Sequence, residues 1–388
     1  MTDTPSPART PAPLSLYVHV PFCASRCGYC DFNTYTATEL GDDVRRDTFH
    51  QHLIAEVHQA ANQRSMDHRV ETIFFGGGTP TLLGASALNE ILTEITDRFD
   101  VAPDVEVTTE ANPDSVDQRM LENLKHGGFT RISFGMQSSA PHVLATLERT
   151  HTPGASSTAA KAARTAGFER VNLDLIYGTP GETDDDLRRS LDEVLDAGVD
   201  HVSAYSLIVE PGTALARRVQ RGEIPMPDDD DAADRYELID DRLTGAGFDW
   251  YEVSNWAKPG GECRHNIAYW RNATWWGIGP GAHSHRAGRR WWNVKHPHTY
   301  ASRVTAGLSP LQDEELLTSD QRALENLMLG MRMKEGIARS DLACSDDPID
   351  ELLARQLITS ITAGDERRLV LTRQGRLLAD HVIRTLAA

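Results

Sequence analysis

Alternation constrains this chain more than any other feature: short apolar or alternating runs bounded by turn residues take turns with helix-period segments. The strand-like runs fall at 14–20, 70–75, 105–110, 131–137, 171–177 and 201–209, with helical stretches such as 44–61 and 187–195 between them. In 44–61, Phe49, Leu53, Val57 and Ala60 keep one face apolar. Six such strand–helix units predict a parallel sheet. Right-handed crossovers wind it into either an open doubly wound sheet or a barrel, complete or partial. Side-chain parity bears on that choice, because residues two apart in a strand share a face. Glu106, Thr108 and Glu110, then Ser133, Gly135 and Gln137, then Asn172 and Asp174 put polar or small groups on one parity. Val105, Val107, Ile132, Phe134, Met136, Val171, Leu173 and Leu175 occupy the other. A polar inner face with reactive groups near the strands' carboxyl ends suits a barrel mouth.

The two ends of the chain read differently. Residues 1–13 are rich in Pro and Thr, lack the apolar stretch of a secretory signal, and read as a disordered tail. A helical pattern over 316–333 is followed by further helices at 349–357 and after Gly375, with an extended 368–371 beyond a turn at 363–365. This predicts a C-terminal winged-helix-like α+β domain over 309–388, behind a main domain over 14–308. Such modules often bind DNA, but residues 310–388 hold 10 Lys and Arg against 14 Asp and Glu, and the whole chain carries a net charge of -18. Nucleic acid is therefore excluded as a partner on electrostatic grounds. No apolar run approaches the roughly 20 residues that a membrane span needs. The acidic run 228–231 reads as a solvated helix start, and the glycine-rich 277–284 as a turn that lacks dinucleotide-site spacing.

The chemistry begins at Cys23, Cys27 and Cys30, a C-x3-C-x2-C spacing in the loop directly after the first strand. Five cysteines, unevenly spread, do not make a disulfide framework and suggest metal chemistry in a reducing cytoplasm. Three thiolates on one short loop can hold three corners of a four-iron cluster and leave the fourth iron open. The competing reading is a zinc site completed by a histidine such as His19, although structural zinc sites usually bring their ligands as two separated pairs.

This spacing, its place after the first strand, and Phe75-Gly76-Gly77-Gly78-Thr79-Pro80-Thr81 after the second resemble the radical S-adenosylmethionine superfamily, and within it the oxygen-independent coproporphyrinogen III oxidase branch. The resemblance implies a partial parallel (β/α)6 barrel. It also implies a [4Fe-4S] cluster whose open iron binds S-adenosylmethionine, from which one electron generates a deoxyadenosyl radical. Carried over residue by residue, Tyr17, Gly77, Gly78, Thr79 and Glu110 match positions that contact the cluster-bound S-adenosylmethionine. Gln137, Arg149 and Asp174, with Tyr29 and Ile208, match contacts to a second such molecule in the oxidase. Glu110, Gln137 and Asp174 are residues that strand parity places on the inner face.

One departure separates the chain from the oxidases, which extend the cluster motif by a further cysteine where this sequence has Phe32. The ending Cys30-Asp31-Phe32-Asn33 resembles the HemW type, oxidase-like proteins regarded as heme chaperones. All seven tryptophans lie between Trp250 and Trp292, around His265-Asn266-Ile267-Ala268-Tyr269-Trp270. Imidazole is a common axial ligand of heme iron, and flat aromatic rings offer a surface to a porphyrin. His265, Asn266, Tyr269 and Trp270 match the HNxxYW motif associated with heme in that subfamily; a packed aromatic cluster with one hydrogen-bonded histidine is the plainer alternative. The expected function is heme binding and transfer to acceptor hemoproteins, with Cys263 a weaker candidate ligand and Cys344 an ordinary buried thiol. The alternatives are radical decarboxylation of coproporphyrinogen and a zinc-stabilised scaffold. Whether two chains pair is left open.

Overall fold

The six predicted runs form six neighbouring parallel strands. The computed structural model describes residues 11–41, 44–63 and 68–387. In it the strands are β1 (Ala12–Val20), β2 (His68–Gly77), β3 (Val101–Ala111), β4 (Arg131–Gln137), β5 (Arg170–Tyr177) and β6 (His201–Ser206). They pair in chain order. Helices Phe49–Gln63, Ala85–Arg98, Gln118–His126, Ala155–Thr165 and Asp184–Asp196 make the crossovers. Each starts or packs for a local reason. Asp117 accepts from the Met120 N–H, and Thr183 and Asp186 form a reciprocal capping box. Phe49, Leu53, Val57 and Ala60 are the buried stripe of the first helix, as the periodicity predicts.

Parity decides what each strand face does. In β1, Leu14, Leu16, Val18 and Val20 are buried against the helices. Val107, Ile132, Phe134, Met136, Val171, Leu173 and Leu175 join the same core. Each such fully buried aliphatic or aromatic side chain stabilises the fold by about 1.5–3 kcal/mol. The opposite parity of β2 to β6 lines one common cavity, so the sheet curls around it as a partial barrel.

Some boundaries differ from the sequence expectation. Most of the 1–13 tail lies outside the described residues, but Ala12 and Pro13 already pair with His68 and Arg69 in β1. Proline is tolerated there because it stands at the start of the strand. The run 201–209 leaves the sheet after Ser206, so Ile208 lies in a loop and is 64% exposed. The sheet itself extends to twelve strands. β7 (Asp249–Glu252) and β8 (Asn255–Ala257) add beyond β6. β9 (Trp275–Ile278), β10 (His283–Arg286), β11 (Arg289–Asn293) and β12 (Leu311–Leu316) add beyond β1. Leu311–Leu316 therefore belongs to the large sheet rather than to the C-terminal domain, and the helix expected over 316–333 is Ser319–Gly330, started by a capping box at Thr318.

Behind β12 stands a separate three-stranded antiparallel sheet with its own core, including Met331, Leu352, Leu369 and Val382. Cys344 packs at the edge of that core, half-buried rather than buried. The added strands are tied to the first crossover helix by Glu56, which accepts from the Gly279 N–H at 2.6 Å, the Asn293 amide at 2.6 Å and the Tyr300 hydroxyl at 2.5 Å. Among the described residues no helix is long and apolar enough to cross a membrane.

Candidate functional site

The loop after β1 carries Cys23, Cys27 and Cys30, all free and half-buried. Its backbone is pinned on several sides. Cys23 N–H donates to the Tyr35 carbonyl at 3.0 Å, Gly28 N–H to Leu147 at 3.0 Å, and Leu215 N–H to Gly28 at 2.7 Å. Asn33, at the loop's exit, donates to the carbonyls of Pro280 and Lys295. The glycine-rich 277–284 turn thus supports the cluster loop. A Cβ on Gly279 would sit 2.5 Å from the His19 carbonyl oxygen. Burial pushes the Cys23 thiol up to about 11 and raises Cys30 as well. A nearby cation is what would turn such thiols into thiolates. Arg149 stands at the loop's edge, its Nη1 lying 3.6 Å from the Cys27 sulfur while Nη2 donates to the Gly135 carbonyl.

The glycines after β2 serve this loop. Gly77 has φ +111° and a Cβ there would meet the His19 ring at 2.5 Å; one on Gly78 would stand 2.3 Å from the Phe22 carbonyl oxygen and 3.1 Å from the Cys23 sulfur. Thr79 N–H donates to that same Phe22 carbonyl. Glycine is needed here for contact between loop and strand end. His19, the zinc-ligand alternative, has both ring nitrogens engaged, with the Tyr17 hydroxyl at 3.0 Å and the Asn33 carbonyl at 2.9 Å, and burial holds it down to about 4. Among the described residues no three His, Cys, Asp or Glu side chains converge on a single-ion site.

Below the loop lies a cavity of about 440 Å³, within the range of cofactor pockets. Tyr29, Glu110, Gln137, Asp174, Ile208 and Asn266 all line it, together with Phe32, Arg131, His201 and Cys263. Gln137, at a register shift in β4, has φ +62° and a buried Oε1 without a partner. Such strain and an orphaned acceptor at a cavity wall are what a ligand site stores. Glu110 accepts from the Gly77 N–H at 3.1 Å. Burial pushes Glu110 up to about 8, with the Asp174 charge adding to it. Asp174 is itself raised by burial, although Ser133 and Asn172 donate to it. The cavity thus holds two carboxyls that resist simultaneous ionisation and would welcome a cationic group.

The heme-motif residues lie at the opposite end of the strands from the cluster loop. Helix Arg264–Trp270 closes the barrel floor, where Glu106 accepts from the Arg264 and His265 N–H groups at 3.1 and 3.0 Å. His265 is 1% exposed, with Nδ1 2.8 Å from the Thr72 hydroxyl and Nε2 3.2 Å from the Tyr269 hydroxyl. Burial holds it down to about 3. Its ring stacks on Phe74, which stacks in turn on Tyr17, so one aromatic column runs from the floor to the cluster loop. Trp270 lies against Glu252. The seven tryptophans do not form one surface: Trp250 and Trp256 are on β7 and β8, while Trp275, Trp276, Trp291 and Trp292 are on β9 and β11 at the other side of the sheet.

Sequence reasoning missed the floor's polar network. Arg131 is fully buried and donates to the Gly261 carbonyl, and His201 bridges Asn172 and the Tyr251 hydroxyl. Parity offered a signal for Arg131, which shares the inner face with Ser133, but nothing in the sequence shows that residues 251–263 fold beneath it.

Four buried glutamates give the cluster-free chain a pH signature. Glu56, Glu182 and Glu252 are pushed up to about 7 and Glu110 to about 8, in each case first by burial. An acid whose folded value exceeds its unfolded one contributes stability that is complete below the unfolded value and lost as pH rises through the folded one. Buried His19, His201 and His265 are shifted down, so their contribution grows with pH and is complete above about 6.5. Between pH 6.5 and 8.5 the glutamates act unopposed, and the main unfolding transition should fall by roughly 5 °C or more in calorimetry. A flat or rising Tm would mean that these carboxyls are already ionised.

Comparison with known proteins names the class. Residues 17–194 match the Radical SAM superfamily. The heme chaperone HemW of Mycobacterium tuberculosis (strain H37Rv) is 53% identical over 375 residues, covering 96% of this chain and 95% of its own length. That of Escherichia coli K12 is 33% identical over 360 residues, covering 91% of each. The structure of coproporphyrinogen III oxidase (HemN) from Escherichia coli superposes with a TM-score of 0.81 over 98% of this chain and 92% of that one, at 23% identity, a likeness of fold. The fold is that of a radical S-adenosylmethionine protein. The chain belongs to the HemW family. That superfamily carries a [4Fe-4S] cluster and S-adenosylmethionine, and the donor set fits both: three loop thiols beside a cation, and a carboxyl-lined cavity directly below.

Proposed function

We propose that this protein is a cytoplasmic heme chaperone that binds heme and passes it to acceptor hemoproteins. The near full-length 53% identity with a HemW heme chaperone carries the reading, and Phe32, 64% exposed where the oxidases have another cysteine, supports it. Cys23, Cys27 and Cys30 would hold the cluster. Glu110, with the Gly77 N–H as its second anchor, and Asp174 would face the cationic end of S-adenosylmethionine. Gly78 and Thr79 hold the cluster loop to the end of β2, Tyr17 backs that loop through His19, and Gln137 lines the cavity beside Arg149. Bound there, cluster and nucleotide would supply one-electron chemistry. The chain's own residues bind and orient the nucleotide.

The test is transfer. Reconstituted protein loaded with hemin, mixed with an apo-hemoprotein under reducing, anaerobic conditions, should give the acceptor's own Soret band, and coproporphyrinogen offered in parallel should remain undecarboxylated. Accumulation of protoporphyrinogen without hemin transfer would replace this reading by the oxidase.

A further inference from the structure

His265 is a poor first contact for heme in this conformation: it is sealed in the barrel floor with both ring nitrogens bonded. A second groove, of about 590 Å³, runs between the barrel rim and the C-terminal domain. We propose that heme docks in this groove, its rings on an apolar floor, a propionate on Arg384 and its iron facing His381. The proposal rests on the heme-chaperone reading and gives it a site.

Three independent observations carry it. The described residues include twelve exposed large hydrophobics, and five of them line this one groove: Tyr205, Ile208, Val253, Leu377 and Leu378. Exposed apolar area gathered in one concave place marks a binding surface, and a volume in the range of roughly 300–1,000 Å³ suits a cofactor-sized ligand. Charge is the second observation. In a chain of net charge -18, Arg332, Arg376 and Arg384 all face this groove, against Asp229 and Asp380. Arg332 is paired with Asp380, and Arg376 with Asp240 while lying 4.0 Å from the Trp250 ring. Arg384 is exposed and has no ion pair among the described residues, which leaves its guanidinium for a carboxylate ligand. In the Arg332–Asp380 pair the carboxylate is the exposed partner, 74% against 20% for the guanidinium, so a second propionate can take its place on Arg332.

The third observation is the imidazole. His381 stands one turn before Arg384 on helix Ala379–Ala387 and is half-buried in the groove wall. Its ring makes one hydrogen bond, from the exposed Arg355 guanidinium. Iron can displace that contact far more easily than the two buried bonds of His265. Tyr205 and Ile208 line both this groove and the barrel cavity, so cargo here would sit next to the nucleotide.

The experiment is a set of titrations of the full, cluster-reconstituted chain, followed at the Soret band. Arg384→Glu and Leu378→Asp, both at exposed positions, should each weaken hemin binding by about tenfold or more. His381→Ala should change the hemin spectrum and leave the affinity for metal-free protoporphyrin IX unaltered, whereas Arg384→Glu should weaken both ligands. His265→Ala should retain wild-type hemin affinity. Wild-type hemin affinity in both groove variants overturns the site, whatever His265→Ala does. If the wild-type protein itself binds no hemin, the heme-chaperone reading falls, and the site with it.

Discussion

Gly78→Ala should fold and yet fail to hold its cluster. The added Cβ would stand 2.3 Å from the Phe22 carbonyl oxygen and 2.8 Å from its carbonyl carbon. Both are backbone atoms, so no side chain can swing aside. The same carbonyl accepts from Thr79 N–H, and the Gly78 N–H itself donates to Val20. The loop therefore cannot retreat without breaking its attachment to the end of β2, and the next residue along it is Cys23. Overpacking of this kind costs roughly 1–3 kcal/mol, and here the loop absorbs it because β2 is paired on both sides while Cys23, Cys27 and Cys30 beyond Phe22 are only half-buried. Anaerobic reconstitution should give about four irons per chain in the wild type and fewer than about one in Gly78→Ala, comparable with Cys27→Ala. Gly84→Ala is the control. Its φ of +84° makes it strained, but no atom lies within 4 Å of the added Cβ. It should cost about 1–3 kcal/mol of stability and no iron. Full iron incorporation in Gly78→Ala would show that the strand end does not set the loop's geometry.

What the sequence could and could not disclose follows from how each signal is generated. Strand parity is rigid, so Glu110, Gln137 and Asp174 could be placed on one inner face from their spacing alone, and all three line the same cavity. The three cysteines were equally legible, because eight residues of loop cannot scatter them far. The aromatic-rich segment 250–292 was not. Seven tryptophans close in sequence suggest one surface, but a short strand can add to either free edge of a sheet, and nothing local specifies which. Here β7 and β8 take one edge and β9 to β11 the other, with His265 carried across the floor between them. The burial of His265 depends on partners from Thr72, Phe74 and Glu106, which lie 159 to 193 residues earlier. Leu311–Leu316 shows the same limit. Its residues LQDEEL are mostly exposed and carry no apolar alternation, and they form a strand because β11 offers an edge.

The affinity for S-adenosylmethionine should rise with pH up to about 8 and then level off. Glu110 is pushed up to about 8 by its burial and then by the Asp174 charge, against the pull of the Gly77 N–H. Below that value the carboxyl is neutral, and a cationic ligand must displace its proton to be paired. Each unit of pH below the midpoint then costs up to about tenfold in affinity, so the dissociation constant should fall by as much as about a hundredfold between pH 6 and 8. Glu110→Gln keeps the size and a hydrogen-bonding group but cannot ionise. Its affinity should stay near the wild-type value at pH 6 and lose most of the pH dependence. The ligand's own amine titrates near the same pH, and the difference between the two profiles isolates what Glu110 contributes. Asp174→Asn supplies the sign check. Removing the neighbouring charge lets Glu110 ionise more easily, so the midpoint should move to lower pH rather than disappear. Calorimetric titration in buffers of different ionisation enthalpy should also detect a proton released on binding at pH 6.5 by the wild type and not by Glu110→Gln. If the wild-type profile is flat, or if Asp174→Asn moves the midpoint upward, the two carboxyls do not share the cavity's charge, and the cationic end of the nucleotide lies elsewhere.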